Sequence, residues 1–260
     1  LFQSLKGDKK GPTWHHIIEG RPVFFTVLVV VAVLVGGVAE IIPSIITGPK
    51  ALRTGTNVPY TALELEGRDV YIEEGCYNCH SQMIRPFTWE TARYGEVSTP
   101  EESVFDHPFQ WGSKRTGPDL ARVGTKYAAF WHYEHMIDPR KSSPGSNMPA
   151  YAHMVDDKVD FSDTASKLRA MKRVGVPYTP EEIQGAAADA KAQAQLIVDE
   201  LKETGNVDIA PDSKLVAITA YLMRLGNPPA PPEGEEAAAD GEEGADGDKT
   251  EDTEKEEETN

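Results

Sequence analysis

Cys76, Cys79 and His80 stand in one run, Cys76-Tyr77-Asn78-Cys79-His80, and these are the only two cysteines in 260 residues. Two thiols two residues apart, with an imidazole directly after the second, suit three chemistries. The pair can cycle as a dithiol, or supply half of a zinc site. The whole run is also the attachment pattern of a c-type haem. In that case the thiols add to two vinyl groups and the histidine ligates the iron. No second cysteine pair exists, so a four-cysteine zinc site is excluded. A thioredoxin-like dithiol needs a βαβ pattern around it, and none surrounds residues 76–80. Haem attachment is the best-supported reading, and it makes the chain an electron carrier.

An electron-transfer haem needs a sixth ligand, and methionine is the usual one in cytochromes c, where it raises the potential. All six methionines follow the motif: Met83, Met136, Met148, Met154, Met171 and Met223. Met83 is too close to His80 to reach the opposite haem face. Met171 and Met223 lie on expected helix faces, and Met136 lies in the helical run WHYEHMI. Met148 sits in SSPGSNMP, a turn-rich loop that can wrap a flat cofactor, with Pro149 stiffening the backbone beside it. Met148 is the expected ligand and Met154 the second choice. His132, His135 or His153 would instead give bis-histidine ligation. Thr116-Gly117-Pro118-Asp119-Leu120 lies between the two ligands. The Pro118 carbonyl is the candidate partner of the histidine's free N–H; an ordinary turn is the alternative. Arg85, Arg115 and Arg122 are candidates to pair with haem propionates.

These residues need elements to hold them. Val23 to Ile42 reads VFFTVLVVVAVLVGGVAEII, with Glu40 its one charge. Twenty residues at 1.5 Å rise cover roughly 30 Å, the hydrocarbon thickness of a bilayer. A signal-peptide core is shorter and ends in a small-residue cleavage site; here Ile41-Ile42-Pro43 follows. Residues 23–42 therefore read as one transmembrane helix. Lys6, Lys9, Lys10 and Arg21 precede it, against Lys50 and Arg53 after it. That excess puts the N-terminus in the cytoplasm and the haem domain outside. Residues 1–22 are then a cytoplasmic and interfacial lead, and 43–66 a Pro- and Gly-bearing linker.

Residues 67–227 are long enough for one domain. Their pattern is helical over 67–79, 124–138, 163–174, 179–203 and 212–225, and strand signals are weak. Thr179, Pro180 and Glu182 form a helix start, with Gly205 as the expected stop. Small c-type cytochromes cross a helix before the motif with a C-terminal helix. Residues 67–79 and 212–225 offer that pair, with Tyr221 and Leu222 at the crossing. The fold class is mainly α: an N-terminal membrane helix, a cytochrome c-like helical domain and an acidic tail. Residues 228–260 carry a net charge of −12 out of −16 and no aromatics. Such a tail cannot bury enough apolar surface to order itself. It solvates the chain and offers attraction to a basic partner such as a soluble cytochrome c donor.

The runs GCYNCHSQMIRP, HPFQWGSKRTGPDLARVGTKY, WHYEHMIDPR and SNMPAY, in this order behind a membrane anchor, closely resemble one family. It is the monohaem cytochrome c subunit of bacterial cbb-type (C-family) cytochrome c oxidases. The resemblance is specific over about residues 12–155 and looser over 156–227; the tail lies outside it. It implies one covalent haem c, with Cys76 and Cys79 as thioether links and His80 and Met148 as axial ligands. It implies a partner, an integral-membrane catalytic subunit holding haem b and a haem–copper centre, and a second partner, a dihaem cytochrome c subunit. The implied role is electron relay to the low-spin haem b, with oxygen reduced to water in a proton-pumping complex of the bacterial inner membrane. This chain itself has no copper-binding histidine cluster. One departure is Ala152-His153, where family members often have Pro-Trp. Trp89, Tyr94, Phe105, Phe109 and Trp111 lie in a long insertion between His80 and Gly117. Aromatics at that density suit a docking surface for the large subunit. A free-standing membrane-anchored cytochrome c shuttle is the competing reading.

Overall fold

The computed structural model describes residues 14–51 and 58–227, with side chains from 14 to 43 and from 58 to 227. The acidic tail at 228–260 and residues 1–13 of the lead lie outside the described residues.

A short helix α1 (Trp14–Glu19) leads into α2 (Pro22–Ala51). Pro22 takes the first helical position, where its missing N–H costs nothing. Within α2, Pro22–Pro43 has a mean hydropathy of 2.6 and none of it is buried against protein. An uncovered apolar helix of that length fits membrane anchoring. Pro43 and Pro49, expected to open a linker, lie inside α2, which runs on to Ala51.

The next helix, α3 (Ala62–Glu73), starts five residues ahead of the expected 67. Its start is a capping box: Glu64 N–H donates to Thr61 Oγ1, and Thr61 N–H donates to Glu64 Oε2 at 2.8 Å. The Thr61-Ala-Leu-Glu64 signal was available in the sequence and outweighs the linker reading of 58–66. Tyr60, Leu63 and Leu65 are buried in the core. After α3 come α4 (Thr88–Tyr94), α5 (Ala129–Ile137), α6 (Pro139–Ser142), α7 (Thr164–Arg173), α8 (Pro180–Gly205) and α9 (Lys214–Arg224). Residues 124–128, expected as the start of a helix over 124–138, lie outside α5; Val123–Thr125 form a separate 3-10 turn before it. Among the described residues there is no strand, only an isolated bridge between Lys158 and Ser213.

Helix α8 begins as expected, with Thr179 and Glu182 capping each other and Pro180 in the first turn. Ala186, Ala190, Ala194, Val198 and Leu201 form its buried stripe. Gly205 is the last helical residue rather than the stop; Asn206 takes the left-handed conformation at φ 49°. Gly205 serves close packing instead, since a Cβ there would lie 2.0 Å from the Phe130 ring.

Helices α3 and α9 cross through a contact only glycine permits. A Cβ on Gly67 would lie 1.9 Å from the Ala217 carbonyl oxygen and 2.9 Å from Tyr221 Cβ. Tyr221 is wholly buried and Leu222 nearly so, as the crossing requires. The Tyr221 ring centroid lies 5.4 Å from Tyr71 and 5.7 Å from Tyr60, both at tilted angles that aromatic quadrupoles favour.

Candidate haem site

The chain leaves α3 through Gly75, which sits in the left-handed region at φ 68°, where a side chain would be strained. A single 3-10 turn, Cys76–Asn78, follows. Cys79 and His80 both donate their N–H to the Cys76 carbonyl, at 3.1 and 3.0 Å. This turn presents Cys76, Cys79 and His80 to one cavity of about 660 Å³, within the size range of cofactor sites. Tyr71 of α3, Ile218 and Leu222 of α9, and Trp131, His132, His135 and Met136 of α5 also line it. The crossing of α3 and α9 thus forms part of the cavity wall. The loop from Ser143 to Pro149 lines it without a break, Met148 included. Burial pushes the Cys76 thiol up to about 12, so it stays protonated near neutrality.

His80 is held by the Gly117-Pro118 segment, with the rest of its ring facing the cavity. Its Nδ1 lies 2.8 Å from the Pro118 carbonyl oxygen. A carbonyl only accepts, so Nδ1 carries the proton and Nε2 keeps its lone pair. The expected partner is therefore in place. Burial lowers the His80 pKa, with the Pro118 bond opposing it, and a neutral imidazole is the form that ligates metal. Gly117 packs on the ring: a Cβ there would lie 2.3 Å from His80 Cε1. Gly117 N–H donates to Cys79 O at 2.9 Å, and Leu120 N–H to Ser81 O at 2.8 Å. Residues 79–81 and 117–120 are thereby pinned in register across the histidine.

A buried polar network braces both segments. Ser81 Oγ donates to Asp119 Oδ2 at 2.6 Å, and Arg115 Nε donates to Ser81 Oγ at 2.7 Å. Arg115 and Arg85 both clasp Glu90, at 2.7 and 2.6 Å, and Glu90 is fully buried. Arg122 instead pairs with Glu102 at 2.6 Å. All three arginines expected at the propionates are thus engaged by carboxylates, and none lines the cavity.

The hydrogen bond from Arg115, supported by Arg85, holds the Glu90 carboxyl down at about 2. A depressed carboxylate pKa adds stability that is present above the unfolded value of about 4.3 and is lost as pH falls toward the folded one. The thermal midpoint of the wild-type protein should therefore drop between about pH 4.3 and pH 2. Glu90→Gln should start lower at neutral pH, show a shallower fall, and converge with wild type near pH 2. Parallel melting curves across that window would contradict this role for Glu90.

Two thioethers line the cavity, Met136 and Met148. Met136 is packed within α5 and 7% exposed, whereas Met148 is half-buried on the wrapping loop. Met154 is wholly buried in the core and does not line the cavity. His153 lies outside it as well, 3.2 Å from Glu74. His132 and His135 do line it. His132 is 1% exposed, and its Nε2 has no hydrogen-bond partner among the described residues. Trp131 is sandwiched between Tyr127 at 3.8 Å and His135 at 4.5 Å, all three nearly parallel. Sequence reasoning passed over α4, Arg93 and Lys126, which also reach this cavity; α4 is seven residues long with no side-chain cap, so only packing reveals it.

Among the described residues no cluster of three His, Cys, Asp or Glu side chains is placed to hold a metal ion. The zinc reading of Cys76 and Cys79 therefore finds no further ligands. The site fits a haem: paired thiols, an imidazole lone pair, soft thioethers in an apolar wall, and a buried imidazole nitrogen left without a partner. Among curated proteins none matches the chain. The family described as cytochrome c oxidase, mono-haem subunit/FixO, matches residues 15–228. The chain belongs to this family, a haem-bearing electron-transport subunit of cytochrome c oxidase.

Proposed function

We propose that this subunit carries its haem as haem c, linked through Cys76 and Cys79, with His80 and Met148 as axial ligands. The observation that carries this is the convergence of all four residues on one cavity. Bound haem supplies a one-electron couple. The chain supplies the rest. His80 offers Nε2 because Pro118 holds Nδ1–H, and this bond also makes the imidazole a stronger donor. Met148 offers a neutral sulfur suited to both iron oxidation states. Ile218, Leu222 and Tyr71 exclude water, so less solvent must reorganise when the charge changes.

In this reading electrons pass from a dihaem cytochrome c subunit or a soluble cytochrome c donor to this haem. They continue to the low-spin haem b of the integral-membrane catalytic subunit, where oxygen is reduced at the haem–copper centre. Helix α2 anchors the chain in the bacterial inner membrane with its N-terminus cytoplasmic and the haem domain outside. Exposed aromatics support docking on the large subunit. Phe87, Trp89, Phe109 and Trp111 are exposed. They stack in two pairs, at 6.4 and 4.3 Å, and Arg85 lies over the first. Such residues are enriched at interfaces. Tyr94 and Phe105 of the same insertion are buried instead and serve the core.

Purification in mild detergent followed by a reduced-minus-oxidised spectrum tests this. Haem b in a co-purifying subunit beside haem c in this chain is the expected result; haem c alone would favour the free-standing shuttle. Trp89→Ala with Trp111→Ala should reduce recovery of the large subunit severalfold, and undiminished co-purification would count against the docking surface.

A further inference from the structure

Arg93, Lys126 and His132 line the cavity and are not among the four proposed haem-holding residues. Arg93 is at the end of α4, Lys126 follows the 123–125 turn, and His132 is in α5. Arg93 and Lys126 are exposed cations. Unlike Arg85, Arg115 and Arg122, neither has a carboxylate within ion-pair distance among the described residues. Both lie near one ring, with Arg93 Cζ 5.3 Å and Lys126 Nζ 5.8 Å from the Tyr94 centroid, which the carboxylate-paired Arg115 also approaches at 5.1 Å. Lys126 Nζ also reaches the Arg93 carbonyl at 3.4 Å. The two cations are therefore neighbours.

His132 adds an independent observation. A buried imidazole nitrogen without a partner costs free energy on the order of 1–3 kcal/mol, so its presence in a cavity wall points to a missing polar group. Its other nitrogen is taken by the Tyr127 backbone. Among the described residues, then, an Nε2 without a partner and two cations without a carboxylate share one cavity wall, and together they describe a receptor for carboxylates. Haem brings two carboxylates, its propionates, and no other anionic groups.

We propose that Arg93, Lys126 and His132 receive the haem propionates and so set which way the ring lies in the cavity. This rests on the haem reading above. The cations offset the two negative charges by charge-assisted hydrogen bonds. Burial lowers the His132 pKa to about 4, so Nε2 alone is an acceptor near neutrality. A carboxylate brought beside it raises that pKa, and the imidazole then takes a proton from solvent and donates it to a carboxylate oxygen. Neutralised propionates make the oxidised iron less favoured, so these residues also raise the reduction potential. They are positioning residues rather than ligands.

The test uses the full chain in its purified complex. Haem content is read first, from the pyridine haemochrome of the wild type; absence of haem c there would sink the haem reading itself. Arg93→Gln with Lys126→Gln keeps the fold, because both side chains are exposed, and the thioether links keep the haem. At a fixed ambient potential the ratio of oxidised to reduced haem should rise at least tenfold, which for one electron is a fall of 59 mV. The propionate bending band in resonance Raman should shift as well. His132→Phe should move the same band, and Arg93→Lys should restore most of the potential. The single Gln variants should move in the same direction by smaller amounts. Loaded haem with unchanged potential and unchanged propionate band in all these variants would overturn the assignment.

Discussion

Cys76→Ala combined with Cys79→Ala is expected to yield a chain with no covalently bound haem. After denaturing electrophoresis, the haem-peroxidase stain should vanish from the band near 28.5 kDa. Under the proposed relay, oxidase turnover driven by the upstream donor should also fall to background, because the one-electron couple is lost. Neither thiol is in a disulfide among the described residues, and Cys79 is exposed. The anchor and helical core should persist, since the α3–α9 contact rests on Gly67, Ala217 and Tyr221 rather than on the cysteines. Each single variant should keep one thioether link and a weakened stain. A full-strength band in the double variant would exclude covalent attachment through this motif.

The second large effect is expected at Met148. Met148→Leu keeps the apolar volume and removes the sulfur, a swap that usually costs less than about 1.5 kcal/mol of stability. The haem should remain attached but change from low spin to high spin, with loss of sulfur-to-iron absorption. Its potential should fall by on the order of 0.1 V, within the roughly 0.8 V that axial ligation spans. Met136→Leu is the control, because Met136 lines the same cavity from within a packed helix. It should leave the spin state unaltered. If Met136→Leu rather than Met148→Leu switches the spin state, the ligand assignment moves to Met136. Gly117→Ala bears on the opposite face. Its added Cβ would press on the His80 ring, so the imidazole must tilt.

The four residues of the candidate site were legible before any fold was known, and the fold brings them to one cavity. Cys-x-x-Cys-His carries its chemistry in local spacing, and the Gly117-Pro118 pair was legible for the same reason. The Pro118 carbonyl indeed sits 2.8 Å from His80 Nδ1. The expected propionate partners failed on a non-local point. Arg85, Arg115 and Arg122 lie close to the motif in sequence, but buried Glu90 and Asp119 and partly exposed Glu102 claim them. A buried carboxylate without a cation would be costly, and no linear pattern reveals which carboxylates are buried. The insertion's aromatics divided similarly. Tyr94 and Phe105 went inside, and Trp89, Phe109 and Trp111 stayed out.

Local residue patterns alone determined the apolar N-terminal helix, the Cys-x-x-Cys-His run and the start of α8. A run of apolar residues, a capping box at Thr179 and two thiols flanking Tyr77-Asn78 act within a few residues of chain. Tertiary structure alone decided which side chains meet across the cavity. Arg93, Lys126 and His132 come from α4, a turn and α5, up to 39 positions apart. That all three line one cavity depends on how α5 packs on α9 and where the 81–116 insertion folds back. Packing also decided that Gly67 and Gly205 act by close approach rather than by left-handed backbone. A glycine's lack of a side chain can be read in a sequence; the atom that would have struck it, Ala217 O or the Phe130 ring, belongs to another helix.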